Sequence, residues 1–224
     1  MSCPIFLSSR SEIGGETVDS RSQILQSIER AQVGNFEYVR SLVVERSPSL
    51  EAFCEAVADY RAVVHRVDQG DLISTIRRVL DGKRVVVPAG ILDEWREALS
   101  HFIEDVPSVD SVGLSYEELD RAEATLTTCA VGIVETGTIV LDGGAGQGRR
   151  AISLIPDHHV CVIFEEQIVA SVEQAVQVLE SSIKAGRPLT WISGPSATSD
   201  IELVRVEGVH GPRTLEVIVV SKSR

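Results

Sequence analysis

The sequence predicts an α/β fold, a mostly parallel sheet flanked by helices, with a helical extension at the amino end. Two observations support this prediction. Beyond residue 60, short apolar runs alternate with segments whose apolar residues recur at helical spacing. Runs such as 85–87 and 160–164 are apolar at every position, as expected for strands covered on both faces of a parallel sheet. We therefore divide the chain into a helical extension (residues 1–60) and an α/β domain (residues 61–224).

Composition and charge exclude several classes of function. The chain has 224 residues, of which 43% are hydrophobic and 24% charged, as in soluble globular proteins. A formal charge of -12 argues against nucleic-acid binding and against docking on anionic lipid. The four cysteines, at 3, 54, 129 and 161, are too scattered for a zinc or iron–sulfur motif, so we expect free buried thiols and no cofactor held by them in this chain. No apolar run approaches the roughly 18 residues of a membrane span, and no signal peptide is recognisable. We expect a cytoplasmic protein.

The first 60 residues have the pattern of helices. Ser20 and Gln23 fit a capping box ahead of apolar residues at helical spacing, and a second apolar set spans 36–43. Ser47-Pro48 predicts the start of a further helix, with proline at its first position, that runs to Tyr60. These helices either wrap the following domain or supply a contact between copies of the chain.

The α/β domain divides into strands and helices of ordinary length. Apolar runs predict strands at 62–67, 84–88, 159–164, 189–193, 204–209 and 215–220, and two more that meet at a polar turn, 135–138. Helical spacing predicts helices at 72–80, 91–99, 115–124, 150–155 and from 172. Ser115 with Glu118 and Ser171 with Gln174 supply amino-terminal caps, and Gly82 a left-handed carboxyl-terminal cap.

Glu135 is the leading candidate for a catalytic residue. It begins a polar turn, Glu135-Thr136-Gly137-Thr138, between two apolar strands. A carboxylate at the mouth of a crevice can act as a base, a nucleophile or an anchor for a hydroxyl group. The alternative is a turn carboxylate that caps free amides beside Gly137. The residue types alone leave both interpretations open.

A glycine-rich loop, 143–148, precedes Arg149-Arg150 and a short helix. Its amides and the two arginines are candidates for binding a carboxylate or phosphate group. The loop has neither the lysine of a Walker loop nor the spacing of the dinucleotide fingerprint. A mobile hairpin without a ligand is the alternative.

A second polar segment, 193–200, follows the predicted strand at 189–193. Its small and hydroxyl-bearing residues suit an anionic oxygen, although Ser199 with Glu202 also forms a plausible capping box. We assign as ligand-binding candidates in this segment Ser193, Gly194, Ser196, Thr198 and Asp200. His210, in the turn 208–213, is able to titrate near neutral pH, but a turn histidine is also commonly structural.

These polar segments are expected to meet at one crevice. In parallel sheets, ligands bind outside the carboxyl ends of the strands, and each segment follows a predicted strand. We therefore expect Glu135, Arg149 and Ser196 to share a cleft. Asp157, His158 and His159 are adjacent in sequence, but neighbouring histidines do not form a helical ligand pair, so we predict no metal site.

Five blocks in order carry a resemblance to a known family. They are 134–141 (VETGTIVL), 153–160 (SLIPDHHV), 192–196 (ISGPS), 200–202 (DIE) and 208–212 (GVHGP). Together they resemble the LUD domain family, to which lactate utilization C proteins belong, over roughly residues 60–222. Where the family commonly has a basic residue after Gly-Pro-Ser, this chain has Ala197, and Ser199 stands where alanine is usual.

The resemblance implies a fold of the NagB/RpiA/CoA-transferase type and a role in oxidising L-lactate to pyruvate. It also implies iron–sulfur partner proteins that carry the clusters, with none in this chain. By position, the turn 135–138 matches the acidic turn of the family, His159 its histidine at a strand start, and His210 its final turn. If the missing basic residue normally pairs with an anionic ligand, Arg149, Arg150 or Arg213 must replace it here, unless the ligand differs.

Three functions are compatible with the sequence. The first is a component of an L-lactate utilization system that acts with iron–sulfur proteins, without clusters of its own. The second is an enzyme similar to CoA transferases, in which Glu135 forms an acyl intermediate. The third is a non-catalytic module that binds a small carboxylate or phosphate-bearing ligand. Assembly into a homo-oligomer is compatible with all three.

Overall fold

The computed structural model describes residues 20–30, 47–100, 109–110, 113–198, 206–207 and 211–222. The chain divides into two units, residues 1–44 and residues 45–224. Helix α1 (Ser20–Arg30) belongs to the first unit, at the position that the capping pattern predicts. The second apolar set, 36–43, lies outside the described residues.

The second unit alternates helices with strands, as predicted. Its elements are α2 (Leu50–Asp59), β1 (Val63–Asp68), α3 (Leu72–Leu80), β2 (Val85–Pro88), α4 (Asp93–Leu99), β3 (Val109–Asp110), α5 (Tyr116–Arg121), β4 (Ala124–Thr128), β5 (Val131–Ile133), β6 (Thr138–Leu141), β7 (His158–Phe164), β8 (Ile168–Val169), α6 (Val172–Val178), α7 (Glu180–Lys184), β9 (Thr190–Ile192), β10 (Ala197–Thr198), β11 (Val206–Glu207) and β12 (Thr214–Ser221).

Six of the described strands form a central sheet in the order β1-β12-β7-β4-β2-β3. Every neighbouring pair in it is parallel. The predicted mostly parallel sheet flanked by helices is therefore confirmed. The more specific assignment to the NagB/RpiA/CoA-transferase fold type stays a prediction.

A second sheet was not predicted. It has the order β8-β5-β6-β9, and β6 pairs antiparallel with both β5 and β9. Its strands are apolar on both faces because one face packs on the central sheet and the other packs on α6. A strand buried on both faces has the same pattern in either sheet, so the sequence did not distinguish the two.

The core of this unit has four layers. Helices α3 and α4 cover one face of the central sheet with fully buried side chains such as Ile76 and Trp95. The other face packs against α2 and the second sheet, where Phe53, Ile139 and Cys161 meet. Helix α6 then covers the outer face of the second sheet. Burial of each such aliphatic side chain contributes about 1.5–3 kcal/mol to folding, so these layers hold both sheets in place.

Two predicted boundaries are wrong for local reasons. Helix α2 begins at Leu50 rather than at Pro48, because the Ser49 hydroxyl accepts a hydrogen bond from the Ala52 amide at 3.2 Å and is the actual cap. Helix α5 ends at Arg121 rather than near Ala124, because the chain becomes extended and enters β4. The predicted segment at 150–155 is a 3-10 helix, Arg150–Ser153.

Other local predictions are confirmed. The reciprocal capping box of Ser115 and Glu118 has both of its hydrogen bonds, at 2.7 and 3.2 Å. Gly82 follows α3 with a φ of 69°. Helix α2 lies in the unit formed by residues 45–224 and places Phe53 in its core, while the division of the domains after residue 60 stays a prediction.

Candidate functional site

The histidine cleft is a cavity of about 320 Å³ at the amino ends of β7 and β12, beside the end of β9. Its floor includes His159 and Leu215, which are neighbours in the register of these two strands. Its other lining residues are Arg150, Ser153, Leu154, Thr190, Trp191, Ile192, Ser193, Gly194, Pro195, Ser196, Gly211 and Pro212.

His159 is buried and uncharged. Its Nε2 lies 2.8 Å from the Thr127 hydroxyl on the adjacent strand β4. Its Nδ1 has no hydrogen-bond partner in the described part of the chain. Burial, followed by the charge of the neighbouring His158, lowers the pKa of His159 to about 3. The imidazole is therefore neutral at physiological pH, and an unpartnered buried nitrogen of this kind costs about 1–3 kcal/mol unless a ligand or water satisfies it.

The polar side of the cleft consists of hydroxyl groups and one guanidinium group. The Ser193 hydroxyl lies 2.6 Å from that of Thr138, and the Ser196 amide donates to the Pro212 carbonyl at 2.8 Å. The exposed side chain of Arg150 has no hydrogen-bond or ion-pair partner among the described residues. Neutral hydroxyls beside an unpaired guanidinium group suit a small monocarboxylate.

The loop that carries these serines is held close to α2. Gly194 has a φ of 90°, and a Cβ atom there would lie 2.4 Å from the Tyr60 carbonyl oxygen. Glycine is therefore required by the backbone conformation and by the close contact. This contact supports the position of Ser193 at the rim of the cleft.

Glu135 lies in the turn between β5 and β6 and does not line the histidine cleft. Its side chain is exposed, and it lines neither of the cavities described here. In the same turn, the Thr136 hydroxyl donates to that of Thr138 at 2.7 Å. Gly137 has a φ of 56°, and a Cβ atom there would lie 2.4 Å from the Ala56 carbonyl oxygen of α2. Contacts with α2 and β9 thus account for the small polar residues of the turn.

The glycine loop lies where the sequence predicted, at the carboxyl ends of β2 and β4. The Gly146 amide donates to the Ala89 carbonyl at 3.0 Å, and its carbonyl accepts from the Thr128 amide at 2.7 Å. However, four of the loop amides already donate inside the protein, namely those of Gly144, Gly146, Gln147 and Gly148. Binding of an anion at this loop would therefore depend on nearby side chains more than on the loop amides.

The arginine cavity lies beside this loop and has a volume of about 670 Å³. Three arginines line it, Arg149 and Arg150 after the loop and Arg187 after α7. The buried carboxylate of Asp142 accepts hydrogen bonds from the Gly144 amide at 2.9 Å, the Ser182 hydroxyl at 2.5 Å and the Arg187 guanidinium at 3.2 Å.

The carboxylate of Asp142 is ionised despite its burial. Burial would raise its pKa, but the hydrogen bonds from Ser182 and Gly144 and the charge of Arg187 outweigh burial, so the pKa is lowered. The sequence analysis did not select Asp142, Ser182 or Arg187. The only local signal was a charged residue between Gly186 and Pro188, just past the end of a helix.

The predicted site residues therefore separate into three places. The histidine cleft brings together Arg150, His159, Ser193, Gly194 and Ser196. Arg149 and Arg150 line the arginine cavity. The turn 135–138 lies at the opposite end of β6, where the Thr138 hydroxyl contacts Ser193 of the histidine cleft at 2.6 Å, although no residue of the turn lines either cavity. Asp200 and His210 lie outside the described residues, and Thr198 is in β10.

The expectation of one crevice at the carboxyl ends of the strands is corrected. Two cavities meet at Arg150, and the histidine cleft lies at the amino ends of the central strands. The reason is that Ser193 follows β9, which belongs to the second sheet rather than to the parallel sheet on which the expectation was based. A functional role for these residues stays a prediction.

The described residues contain neither a metal-binding cluster nor a helix able to span a membrane. No group of three or more histidine, cysteine or acidic side chains there is arranged to hold a metal ion. The absence of a metal site from the whole chain stays a prediction. Among the helices that the structure describes, none has the length and apolarity needed to cross a membrane.

Comparison with known proteins identifies the family. Residues 50–220 match the LUD domain. Lactate utilization protein C from Deinococcus radiodurans is 48% identical over 210 residues, which are 91% of this chain and 97% of that protein. Lactate utilization protein C from Shouchella clausii is 35% identical over 109 residues, 47% of each chain. The crystal structure of a DUF162 family protein from Deinococcus radiodurans has a TM-score of 0.63 at 46% identity, covering 76% of this chain and 95% of that chain. The chain belongs to the LUD domain family.

Proposed function

We propose that this protein takes part in lactate utilization. The observation that carries the proposal is the 48% identity to a lactate utilization protein C over 91% of the chain. The match also spans 97% of that relative, so the similarity is not limited to a shared piece of fold. The histidine cleft is compatible with this role, because its single unpaired guanidinium group and its hydroxyls suit a small hydroxy acid.

The more specific proposal is that the chain acts in the oxidation of L-lactate to pyruvate, together with iron–sulfur partner proteins. This oxidation removes two electrons and two protons from lactate, and the electrons would pass to the clusters of the partners. The three cysteines that the structure describes, Cys54, Cys129 and Cys161, are buried free thiols, which supports placing the clusters in the partners. The pKa of Cys129 is far above its usual range because of a hydrogen bond with Cys161 and burial, and burial raises the pKa of Cys54. Protonated thiols are poor cluster ligands.

In the proposed complex, Arg150 binds the carboxylate of lactate or pyruvate. A guanidinium group can donate two parallel hydrogen bonds to a carboxylate, which fixes the orientation of the ligand. Ser193 and Ser196 line the same cleft, so their hydroxyl groups are placed to hydrogen-bond the hydroxyl group of lactate or the keto group of pyruvate. His159, with a pKa of about 3, is a weak base and is better suited to a hydrogen bond than to removing a proton.

Reconstitution tests this function. The chain is combined with candidate iron–sulfur partners, and lactate-dependent reduction of a dye is measured with and without it. We expect dye reduction to require the chain and to fall about tenfold in Arg150→Gln, because one charge-assisted hydrogen-bond pair is lost. Lys184→Gln is the control, since Lys184 is exposed and, among the residues that the structure describes, its ion-pair partner is Glu180, at 2.7 Å on the helix surface. Dye reduction that is equal without the chain would contradict the role.

Acyl transfer through Glu135 remains the second candidate. Glu135 is exposed and lines neither the histidine cleft nor the arginine cavity, so neither of these cavities would hold an acyl intermediate on it. Mass spectrometry after incubation with an acyl-CoA distinguishes acyl transfer from the lactate role. An acyl adduct on Glu135 that is absent from Glu135→Gln would support acyl transfer, and unmodified protein would exclude it. If lactate binds but dye reduction does not depend on the chain, the protein is a binding module.

A further inference from the structure

We propose that the histidine cleft binds 2-hydroxy monocarboxylic acids whose apolar side chain is larger than the methyl group of lactate. This substrate class rests on the proposed function, since Arg150 binds the carboxylate in both cases. Gly211 leaves room for the larger side chain, in the lining of the cleft beside Leu154 and Ser196. Lactate is then a small member of a wider class of ligands.

The cleft has more space than lactate fills. Its volume is about 320 Å³, at the lower end of the range for small-molecule sites. A water molecule takes about 30 Å³ in the liquid, so the cleft has room for about ten waters, whereas a molecule of the size of lactate displaces about four. Binding sites of this kind usually bury most of the surface of their ligand. With lactate bound, more than half of the cleft would be left to water.

Much of the lining of the cleft is apolar. The apolar lining residues are Leu154, Trp191, Ile192, Pro195, Pro212 and Leu215. Leu215 is 2% exposed and belongs to the core between the two sheets, so this part of the lining is held firmly. A ligand that covers apolar surface releases the water beside it, and each methylene group buried in this way tightens binding about fourfold. An apolar side chain is therefore favoured in the remaining space.

The charges of the lining match a ligand with one negative charge. Among the residues that the structure describes, Arg150 is the one cationic side chain of the lining, no acidic side chain lines it, and His159 is neutral at physiological pH. A carboxylate can therefore pair with Arg150 without repulsion. A second carboxylate would lose its hydration without gaining a cationic partner. The lining thus favours an apolar side chain over the side chain of a dicarboxylic acid.

Gly211 marks the place where the larger side chain fits. A Cβ atom there would lie 3.6 Å from the Cδ2 atom of Leu154 and 3.6 Å from the Cβ atom of Ser196. These are ordinary contact distances, and the φ of Gly211 lies outside the left-handed region, so neither crowding nor backbone strain requires glycine. Gly194 differs, because its φ of 90° and its contact with Tyr60 do require glycine. The missing side chain at Gly211 leaves a gap between Leu154 and Ser196.

Both sides of this gap are fixed by the fold. On one side, the Ser196 amide donates to the Pro212 carbonyl at 2.8 Å, which holds the turn of Gly211 against the serine. On the other side, Leu154 directly follows the 3-10 helix Arg150–Ser153. The carboxylate partner and one wall of the gap are thus provided by the same short segment of the chain.

Isothermal titration calorimetry of the full chain tests the proposal with three acids. They are L-lactate, (S)-2-hydroxy-4-methylpentanoate, which has a branched apolar side chain, and L-malate, whose side chain carries a second carboxylate. We expect the branched acid to bind at least about tenfold more tightly than lactate, because it buries several more carbon atoms. Malate should bind no more tightly than lactate.

The variant Gly211→Val fills the gap. It should reduce the ratio of the affinity for the branched acid to the affinity for lactate about tenfold, since it occupies the space of the larger side chain. The matched control is Gly70→Val, at an exposed glycine whose Cβ position has no atom within 4 Å. Its affinity ratio should equal that of the unaltered chain.

A second variant, Gly211→Ala, covers the case in which Gly211→Val unfolds, because a Cβ atom at Gly211 makes only ordinary contacts. It should reduce the affinity ratio about fourfold, the effect of one methyl group. Three results overturn the proposal: a branched acid that binds no better than lactate, malate that binds more tightly than the branched acid, or an unchanged affinity ratio in the folded Gly211 variants.

Lactate-dependent dye reduction with the partners separates this proposal from the proposed function. If dye reduction requires the chain but the branched acid binds no better than lactate, the wider substrate class fails and the lactate role stands. If the branched acid binds more tightly but dye reduction is equal without the chain, the lactate role fails and the substrate class of the cleft stands.

Discussion

The buried neutral His159 makes the protein lose stability in acid, and the variant His159→Gln should remove part of that loss. The pKa of His159 is lowered from 6.5 to about 3 in the folded chain. Between these values the unfolded chain binds the proton more readily than the folded chain does. Stability contributed by the neutral imidazole is therefore present above pH 6.5 and falls as the pH drops toward 3.

The size of the effect follows from the two pKa values. Protonation of the unfolded chain lowers the free energy of unfolding by about 2 kcal/mol between pH 7 and pH 5, since one pKa unit is worth about 1.4 kcal/mol. His158 also has a lowered pKa, because burial outweighs the attraction of Glu216. The unaltered chain and His159→Gln both retain the pH-dependent contribution of His158, so the difference between them reports on His159.

The assay is urea unfolding at pH 7 and pH 5, followed by circular dichroism. We expect the unaltered chain to lose about 2 kcal/mol more than His159→Gln between these two pH values. Thr125→Val is the control, because Thr125 is the neighbour of His159 in the register of β4 and β7 but does not titrate. It should change stability equally at both pH values. If His159→Gln loses as much stability as the unaltered chain, the histidine is not buried and neutral in the fold.

Three further predictions concern stability and use thermal or urea unfolding. Gly137→Ala should cost at least about 3 kcal/mol, because a positive φ and contact with the Ala56 carbonyl combine, whereas Gly186→Ala, with a similar φ but open space, should cost about 1–2 kcal/mol. An equal cost at both glycines would contradict the contact with α2. Thr125→Val should raise stability by about 1 kcal/mol, since the buried Thr125 hydroxyl has no hydrogen-bond partner among the residues that the structure describes, and a clear loss would show that the hydroxyl is bonded. Ser115→Ala should lower stability by about 1 kcal/mol through loss of the capping box, and no change would show that the cap does not contribute.

The sequence predicted the helices and strands well because their caps and apolar runs depend on residues only a few positions apart. The capping box of Ser115 and Glu118 and the left-handed residue Gly82 depend on neighbours a few positions away. Runs of apolar residues likewise identified β2, β7 and β12, since full burial leaves a continuous pattern. The start of α2 was misplaced because Ser47 and Ser49 both carry a suitable hydroxyl, and packing decides which one caps.

The candidate site was only partly predictable because its geometry depends on the second sheet. The hairpin of β5 and β6 has the pattern of two more strands of the parallel sheet, yet it belongs to a second sheet that packs on the first, and Glu135 in its turn lines neither cavity. Arg187 was missed because its role depends on Asp142, 45 positions earlier in the chain. His159 was selected from the resemblance to the family, while its neutral state follows from burial that no sequence pattern reveals.

The most direct test of the central claim is a titration of the histidine cleft with L-lactate, followed by tryptophan fluorescence. Trp191 lines the cleft and is exposed, whereas Trp95, the second of the two tryptophans, is fully buried in the core. We expect a saturable change in fluorescence, with an affinity about tenfold weaker in Arg150→Gln through loss of the charge-assisted contact. A flat titration of the unaltered chain, or equal affinity in Arg150→Gln, would contradict the assignment of the cleft to a small carboxylate.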